Sequence, residues 1–175
     1  NDNATSVAAA LVVARRLAEE PAHGVRVVIV FPGCEESFEE GMLAFLDRHA
    51  AELPRESTSV LALEMLGAQT FLICEGEGPL TRIPYDAALK DLLTGAARDA
   101  GVPALREYWS PFGSDALAGI RRGYASAMLI TVDHHKLPAQ YHSPADRPEN
   151  VDFDSVARGV EIVEAAVRRL GAAAA

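Results

Sequence analysis

Two adjacent carboxylates, Glu35 and Glu36, stand just after an apolar run (residues 25–31, Val-Arg-Val-Val-Ile-Val-Phe) and the turn Pro32-Gly33-Cys34. A β-rich stretch broken by Pro-Gly reads as a buried strand that ends in a sharp turn. Carboxylates at the tip of such a strand lie where open α/β sheets bind their ligands. Crowding two negative charges there is unfavourable unless a cation or a shared proton offsets them. Four further places offer metal-ligand types at turns. Asp2 opens the first helix, Glu64 ends a strand, Asp115 follows Gly113-Ser114, and His142 precedes Ser143-Pro144. Oxygen ligands with an imidazole suit zinc or a related divalent ion. A carboxylate such as Asp2 can bridge two ions and neutralise charge on both.

The elements that must position these groups alternate in period along the chain. Helical spacing of Val7, Leu11, Ala14 and Leu17 predicts a helix over 3–20, ending near Pro21 and Gly24. After the strand at 25–31, a helix is predicted over 39–52 with Met42, Leu43, Phe45, Leu46 and Leu53 inside. Strands are expected over 58–66, 70–74, 104–108 and 126–132, with Gly76, Gly78 and Pro79 in a loop. Further helices are expected over 85–100, after Asp115 and over 151–170, with a frayed Ala-rich tail beyond Leu170. Strands interleaved with helices imply a single α/β domain over 1–175, a three-layer sandwich around a mostly parallel mixed sheet.

Composition sets the frame for this reading. A chain of 175 residues, 49% hydrophobic and 23% charged, is globular and long enough for a substantial core. A net charge of −9 argues against nucleic acid, whose phosphates need a basic face. No apolar stretch reaches about 18 residues, the length a membrane-spanning helix needs. The chain opens on Asn1-Asp2-Asn3 with no signal-peptide pattern, so it is read as a domain of a longer product. Cys34 and Cys74 lack metal or redox spacing and are expected to be buried free thiols.

Five pieces in order carry a resemblance to a known family. They are Asn1-Asp2-Asn3-Ala4-Thr5-Ser6; Gly33-Cys34-Glu35-Glu36-Ser37 with Gly41; Leu63-Glu64-Met65-Leu66-Gly67; Ser114-Asp115; and the segment from Tyr141-His142-Ser143-Pro144-Ala145-Asp146 to Glu149-Asn150-Val151-Asp152. Together the chain resembles the zinc aminopeptidases and carboxypeptidases of family M28, over nearly its whole length. The resemblance implies a phosphorylase/hydrolase-like fold, here N-terminally truncated, and peptide substrates. It implies Asp2 as the carboxylate bridging two zinc ions, Glu36 and His142 completing one ion, and Glu64 binding the other. Glu35 would be the general base and Tyr141 the group that steadies the oxyanion. The family's remaining zinc ligand is a His shortly before the Asn-Asp-Asn piece, outside this sequence. The family also often has Asp where Glu64 stands and His where Ala116 stands. A secreted or cell-envelope location is compatible with the resemblance.

Taken singly, each residue has a plainer use. Asp2 could cap a helix, Glu35-Glu36 could be an acidic first turn, and His142 could be a loop residue. His134-His135 has no family counterpart and reads as a strand-end loop, while His23 and His49 read as helix-end or loop residues. Gly76-Glu77-Gly78 lacks the helix start of a phosphate site, and Ser37, Ser114 and Ser143 have no base-and-orienter pair. Trp109 and Phe112 serve equally well as the wall of an apolar pocket or as core. Three functions remain open: a metallopeptidase that removes N-terminal residues, a glutaminyl-cyclase-like acyltransferase using one zinc held by Asp, Glu and His, and a non-catalytic binding domain. Asp2 lies next to a chain end and is expected to be loosely placed, so one ion or none, and little activity, are expected of this chain.

Overall fold

The computed structural model describes residues 1–78 and 80–174. Its five α-helices are α1 (Ala4–Glu19), α2 (Glu40–Arg48), α3 (Ala87–Asp99), α4 (Asp115–Arg121) and α5 (Phe153–Ala174). The seven strands are β1 (Ser59–Glu64), β2 (Thr70–Ile73), β3 (Gly76–Glu77), β4 (Ile83–Pro84), β5 (Ala104–Leu105), β6 (Trp109–Ser110) and β7 (Ala125–Val132). The main sheet runs β1-β7-β2-β5, and β4-β3-β6 form a small second sheet. Parallel pairing joins β1 to β7 and β2 to β5, whereas β2 and β7 are antiparallel.

Strand alternation divides the core into two faces. Phe71 and Ile73 of β2 and Ala127 and Leu129 of β7 point toward α1, α3 and α5. Leu72, Met128, Ile130 and Val132 point the other way, where Ala116 of α4 joins them. α2 packs on α4 beyond, burying Met42 and Leu46 against Val60 and Ala118. Three layers result, with the sheet between two helical layers.

Local chemistry sets the helix ends. The Asp86 carboxylate caps α3 by accepting from Leu89 N at 2.9 Å, and Ser114 Oγ caps α4 by accepting from Ala116 N at 3.2 Å. Asp152 Oδ1 accepts from Ser155 N at 3.0 Å at the start of α5. The Asp152 main-chain N–H also donates to Gly67 O at 3.0 Å, tying that helix to the loop after β1.

Four expectations need correction. Residues 25–31 form no strand: the segment runs extended without a ladder among the described residues, with Val27, Val28, Ile29 and Phe31 exposed. Its β-branched sequence favours extension, but a ladder needs a neighbouring strand, and among the described residues β1 is paired only with β7. Val30 alone packs on the α2–α4 cluster, and Arg26 donates to Glu52 O at 2.7 Å. The tail is not frayed, because α5 continues to Ala174 on alanines, the best helix formers; Ala175 lies outside the described residues. Gly76, expected in a loop, is in β3 with Glu77; Pro79 lies outside the described residues. Both cysteines are free as expected, but Cys34 is exposed and only Cys74 is buried, where burial pushes its thiol pKa up.

Candidate metal centre

The carboxyl ends of the parallel pair β1 and β7 face the same edge of the sheet, and the site assembles there. β1 delivers Glu64 to that edge, and the chain leaving β7 returns as the segment bearing Tyr141 and His142. Asn3, the residue before α1, docks across the end of β1. Its Nδ2 donates to Leu63 O at 2.9 Å and to Glu64 Oε2 at 2.8 Å, while its Oδ1 accepts from Met65 N at 2.9 Å. Asn1 Oδ1 accepts from Gly67 N at 3.0 Å. A Cβ at Gly67 would stand 2.8 Å from Val151 Cγ1 and 2.9 Å from Asn1 Oδ1, so any larger residue would push these side chains aside.

These contacts correct the expectation that Asp2 is loosely placed. The main-chain nitrogens of Asn1 and Asp2 donate to Asp146 Oδ1 and Oδ2 at 2.6 and 2.9 Å. Asp2 is thus held on both sides, by Asp146 and by Asn3.

His142 Nε2 lies 2.7 Å from Glu36 Oε1 and 3.5 Å from Asp2 Oδ2. One ligand atom from each of Asp2, Glu36 and His142 falls within 4.8 Å of the others. Adjacent ligand atoms around a tetrahedral zinc are about 3.3 Å apart, from zinc–ligand bonds of about 2.0–2.1 Å. Two oxygens and an imidazole nitrogen at this spacing fit such an ion; the Glu36–His142 pair has only to open slightly. Glu35, Glu64 and Tyr141 line the same cleft as Asp2 and Glu36. Glu64 is outside the close group, its Oε2 being occupied by Asn3. Asp115 is outside it too, at the start of α4 with a buried Oδ1 that has no hydrogen-bond partner.

The ligand-bearing turns share a backbone feature. Cys34 (φ 55°), Met65 (φ 48°) and His142 (φ 49°) adopt the left-handed conformation without being glycine. Such residues cost about 1–3 kcal/mol each and cluster at functional sites. One precedes Glu35, one follows Glu64 and one is itself a ligand type.

Electrostatically the cleft is overloaded with negative charge. Burial pushes the Glu35 carboxyl up to about 7, with Glu36, Asp115, Glu39 and Asp2 adding to the effect. Burial raises Glu64 well above the carboxylate range, and Glu35, Asp115 and Asp2 raise it further. Asp2 is raised by burial, partly offset by His142. Asp115 rises to about 6, through burial and then Glu39. Burial and the same acids push the Tyr141 hydroxyl up to about 12, so it keeps its proton. A divalent cation would offset the charge of such a cluster.

Aromatic rings line one side. Tyr141 stacks on His142 with centroids 3.8 Å apart, and Phe112 tilts against Tyr141 at 5.5 Å. Phe112 and Tyr108 belong to the cleft; Trp109 lies under Arg82 instead, its ring centroid 5.5 Å from the guanidinium carbon. Gly113 closes the wall where a Cβ would meet Glu39 Oε1 at 2.2 Å. The His134 and His135 rings sit 3.8 Å apart in the exposed loop after β7, away from the group. A wider groove between α1 and α5 is lined by residues already paired, Arg16 with Glu161 and Glu164, and Arg168 with Glu164.

The sequence-family model described as Peptidase family M28 matches residues 1–167. The chain belongs to peptidase family M28. No curated protein matches the sequence. Among solved structures, the M28 chain is similar to the LapA aminopeptidase of Legionella pneumophila, with a TM-score of 0.79 and 15% identity. That likeness covers 97% of this chain and 46% of LapA. BSAP, a zinc aminopeptidase from Bacillus subtilis, gives a TM-score of 0.78 at 22% identity over 97% of this chain and 41% of BSAP. A glutaminyl cyclase from an Acidobacteriales bacterium gives 0.61 at 14% identity over 77% of this chain and 46% of the cyclase. At these identities the likeness is one of fold, and the chain spans less than half the length of each.

Three residues of the site went unassigned in the sequence. Asn3 and Asp146 lie inside the motif pieces but carry no ligand or base role, so nothing local marks them. Glu77 sits between glycines that read as a loop, yet it is fully buried and neither carboxylate oxygen has a hydrogen-bond partner. Burial pushes it up to about 7; Tyr85 and Ser114 lie close enough to pull it down, but are too poorly aligned to make full hydrogen bonds, so they offset the burial only in part.

Proposed function

We propose that this chain is the metal-bearing part of a zinc-dependent aminopeptidase. The convergence of Asp2, Glu36 and His142, with Glu35 in the cleft that Asp2 and Glu36 line, within an M28 chain, is the observation that carries the reading. Asp2, Glu36 and His142 would hold one zinc ion; Asp2 and Glu64 would face a second. Bound zinc supplies Lewis acidity, polarising the scissile carbonyl and lowering the pKa of water. The protein's own groups then manage the protons. Glu35 Oε accepts a proton from the attacking water and delivers it to the leaving amine nitrogen, and its half-buried position keeps bulk water from competing for that proton. The Tyr141 hydroxyl, protonated across the neutral range, donates a hydrogen bond toward the developing oxyanion. Stacking on Tyr141, which Phe112 backs, orients the His142 ring and screens it from one side.

The test uses the intact, zinc-loaded protein and aminoacyl p-nitroanilides. Release of p-nitroaniline is expected, and Glu35→Gln should retain zinc while losing about 10²–10⁴-fold in turnover. No cleavage of any aminoacyl substrate or peptide would contradict the reading. Unchanged turnover in the variant would remove Glu35 from the base role.

One observation favours a second reading, a single-zinc glutaminyl-cyclase-like acyltransferase. The close group contains one Asp, one Glu and one His and leaves Glu64 out. Cyclisation of a peptide with N-terminal Gln, in place of p-nitroaniline release, would select it.

A further inference from the structure

Asp146 touches none of the ligand-type side chains, yet it joins the two segments that carry them. Its two carboxylate oxygens accept from consecutive main-chain nitrogens, Asn1 N at 2.6 Å and Asp2 N at 2.9 Å. The Asn1 side chain is almost fully buried and the Asp146 side chain largely so, and such surroundings strengthen hydrogen bonds. On its own side Asp146 belongs to the His142 segment, folded tightly on itself. Asp146 N donates to Ser143 O at 3.0 Å, and Asn150 Nδ2 donates to Ala145 O at 2.8 Å. One carboxylate therefore sets the distance between Asp2 and His142, whose Oδ2 and Nε2 stand 3.5 Å apart.

We propose that Asp146 is a positioning residue for the metal centre, a clamp that fixes the Asp2 turn onto the His142 segment. The inference rests on the metallopeptidase reading, because it takes Asp2 and His142 as ligands. Without the clamp, Asp2 remains tied by Asn3 to β1, while among the described residues the loop bearing His142 keeps only the long bond from Asn1 Nδ2 to Ala139 O, at 3.4 Å, to the Asp2 turn. The three ligand atoms then no longer share one position. Ligand geometry rather than chain stability is what the clamp controls.

The experiment measures zinc affinity by competition with a chromophoric chelator, and the visible absorption of the cobalt(II)-substituted protein. Wild type, Asp146→Ala and Asp146→Asn are compared, with folding checked by circular dichroism. The Ala variant should bind zinc about 10–100-fold more weakly, the range for groups that orient ligands, with altered cobalt bands. The Asn variant keeps one acceptor oxygen, so its loss should be smaller but measurable. A lower thermal midpoint with unchanged affinity and cobalt spectrum would make Asp146 merely structural and overturn the proposal. If the Ala variant does not fold, an Asn variant with wild-type affinity and spectrum overturns it equally. A wild-type protein that binds no zinc would sink the metallopeptidase reading itself, and this inference with it.

Discussion

The two halves of the candidate site are held in different ways. Asp2 and Glu64 sit at the end of the sheet, braced by Asn3 and Asp146 through hydrogen bonds of 2.8–2.9 Å. Glu35 and Glu36 follow a segment with no ladder, whose apolar side chains stand in solvent. Glu36 reaches the site by its contact with His142, and its side chain is 63% exposed. The difference teaches where an ion would matter most. A cation between Asp2, Glu36 and His142 would join a fixed half to a weakly held one, so metal binding and local order are coupled.

The comparison breaks most easily in the core. Leu129→Ala, in β7 under α5, should cost about 2–5 kcal/mol, measured as a shift in the urea midpoint at unchanged slope. A cost below 1 kcal/mol would mean that the sheet side is not the anchored half.

The buried acids of the sheet side give the next effect. Glu77 has its proton-binding pKa raised from about 4.5 to about 7, so the folded state holds a proton that the unfolded chain has already released. The stability linked to that proton is fully present below about pH 4.5 and is lost as pH rises through 7. Glu77→Gln, which has no proton to lose, should therefore match wild type near pH 4 and exceed it by about 3 kcal/mol at most at pH 8. Equal stabilities at pH 8 would show that Glu77 is not strained by burial.

The smallest effect belongs to the segment without a ladder. Val28→Ala, at an exposed position, should change stability by less than about 0.5 kcal/mol. Amides of residues 27–31 should also exchange with solvent far faster than those of β7, by mass spectrometry. Slow exchange there would mean that the segment is held as firmly as the sheet, and the contrast would fall.

Much of this was readable from residues alone. The helices α1, α3 and α5 and the strands β1, β2 and β7 lie within a few residues of where period and caps place them, because those signals are local. The meeting of Asp2, Glu36 and His142 was legible through the five ordered motif pieces. Residues 25–31 misled for a physical reason: sequence reports a preference for extension, whereas pairing depends on what lies alongside. The same limit hid the two-residue pairings of β3, β4 and β6, and the strand expected over 104–108 pairs only as the two residues of β5. It also hid Asp146, whose partners are 144 and 145 residues away in sequence and are main-chain atoms that no side-chain pattern reveals. Glu77 escaped because its isolation comes from burial by β4, β6 and α4 together.

The central claim is that Asp2, Glu36 and His142, from three separate segments, hold one divalent ion. Anomalous diffraction at the zinc edge from crystals of the protein soaked in zinc tests it most directly. The account predicts a peak bounded by Asp2 Oδ2, Glu36 Oε1 and His142 Nε2, with Glu35 beside it and outside bonding distance. A zinc-soaked crystal with no peak there, or with its zinc at His134 and His135 instead, would contradict it.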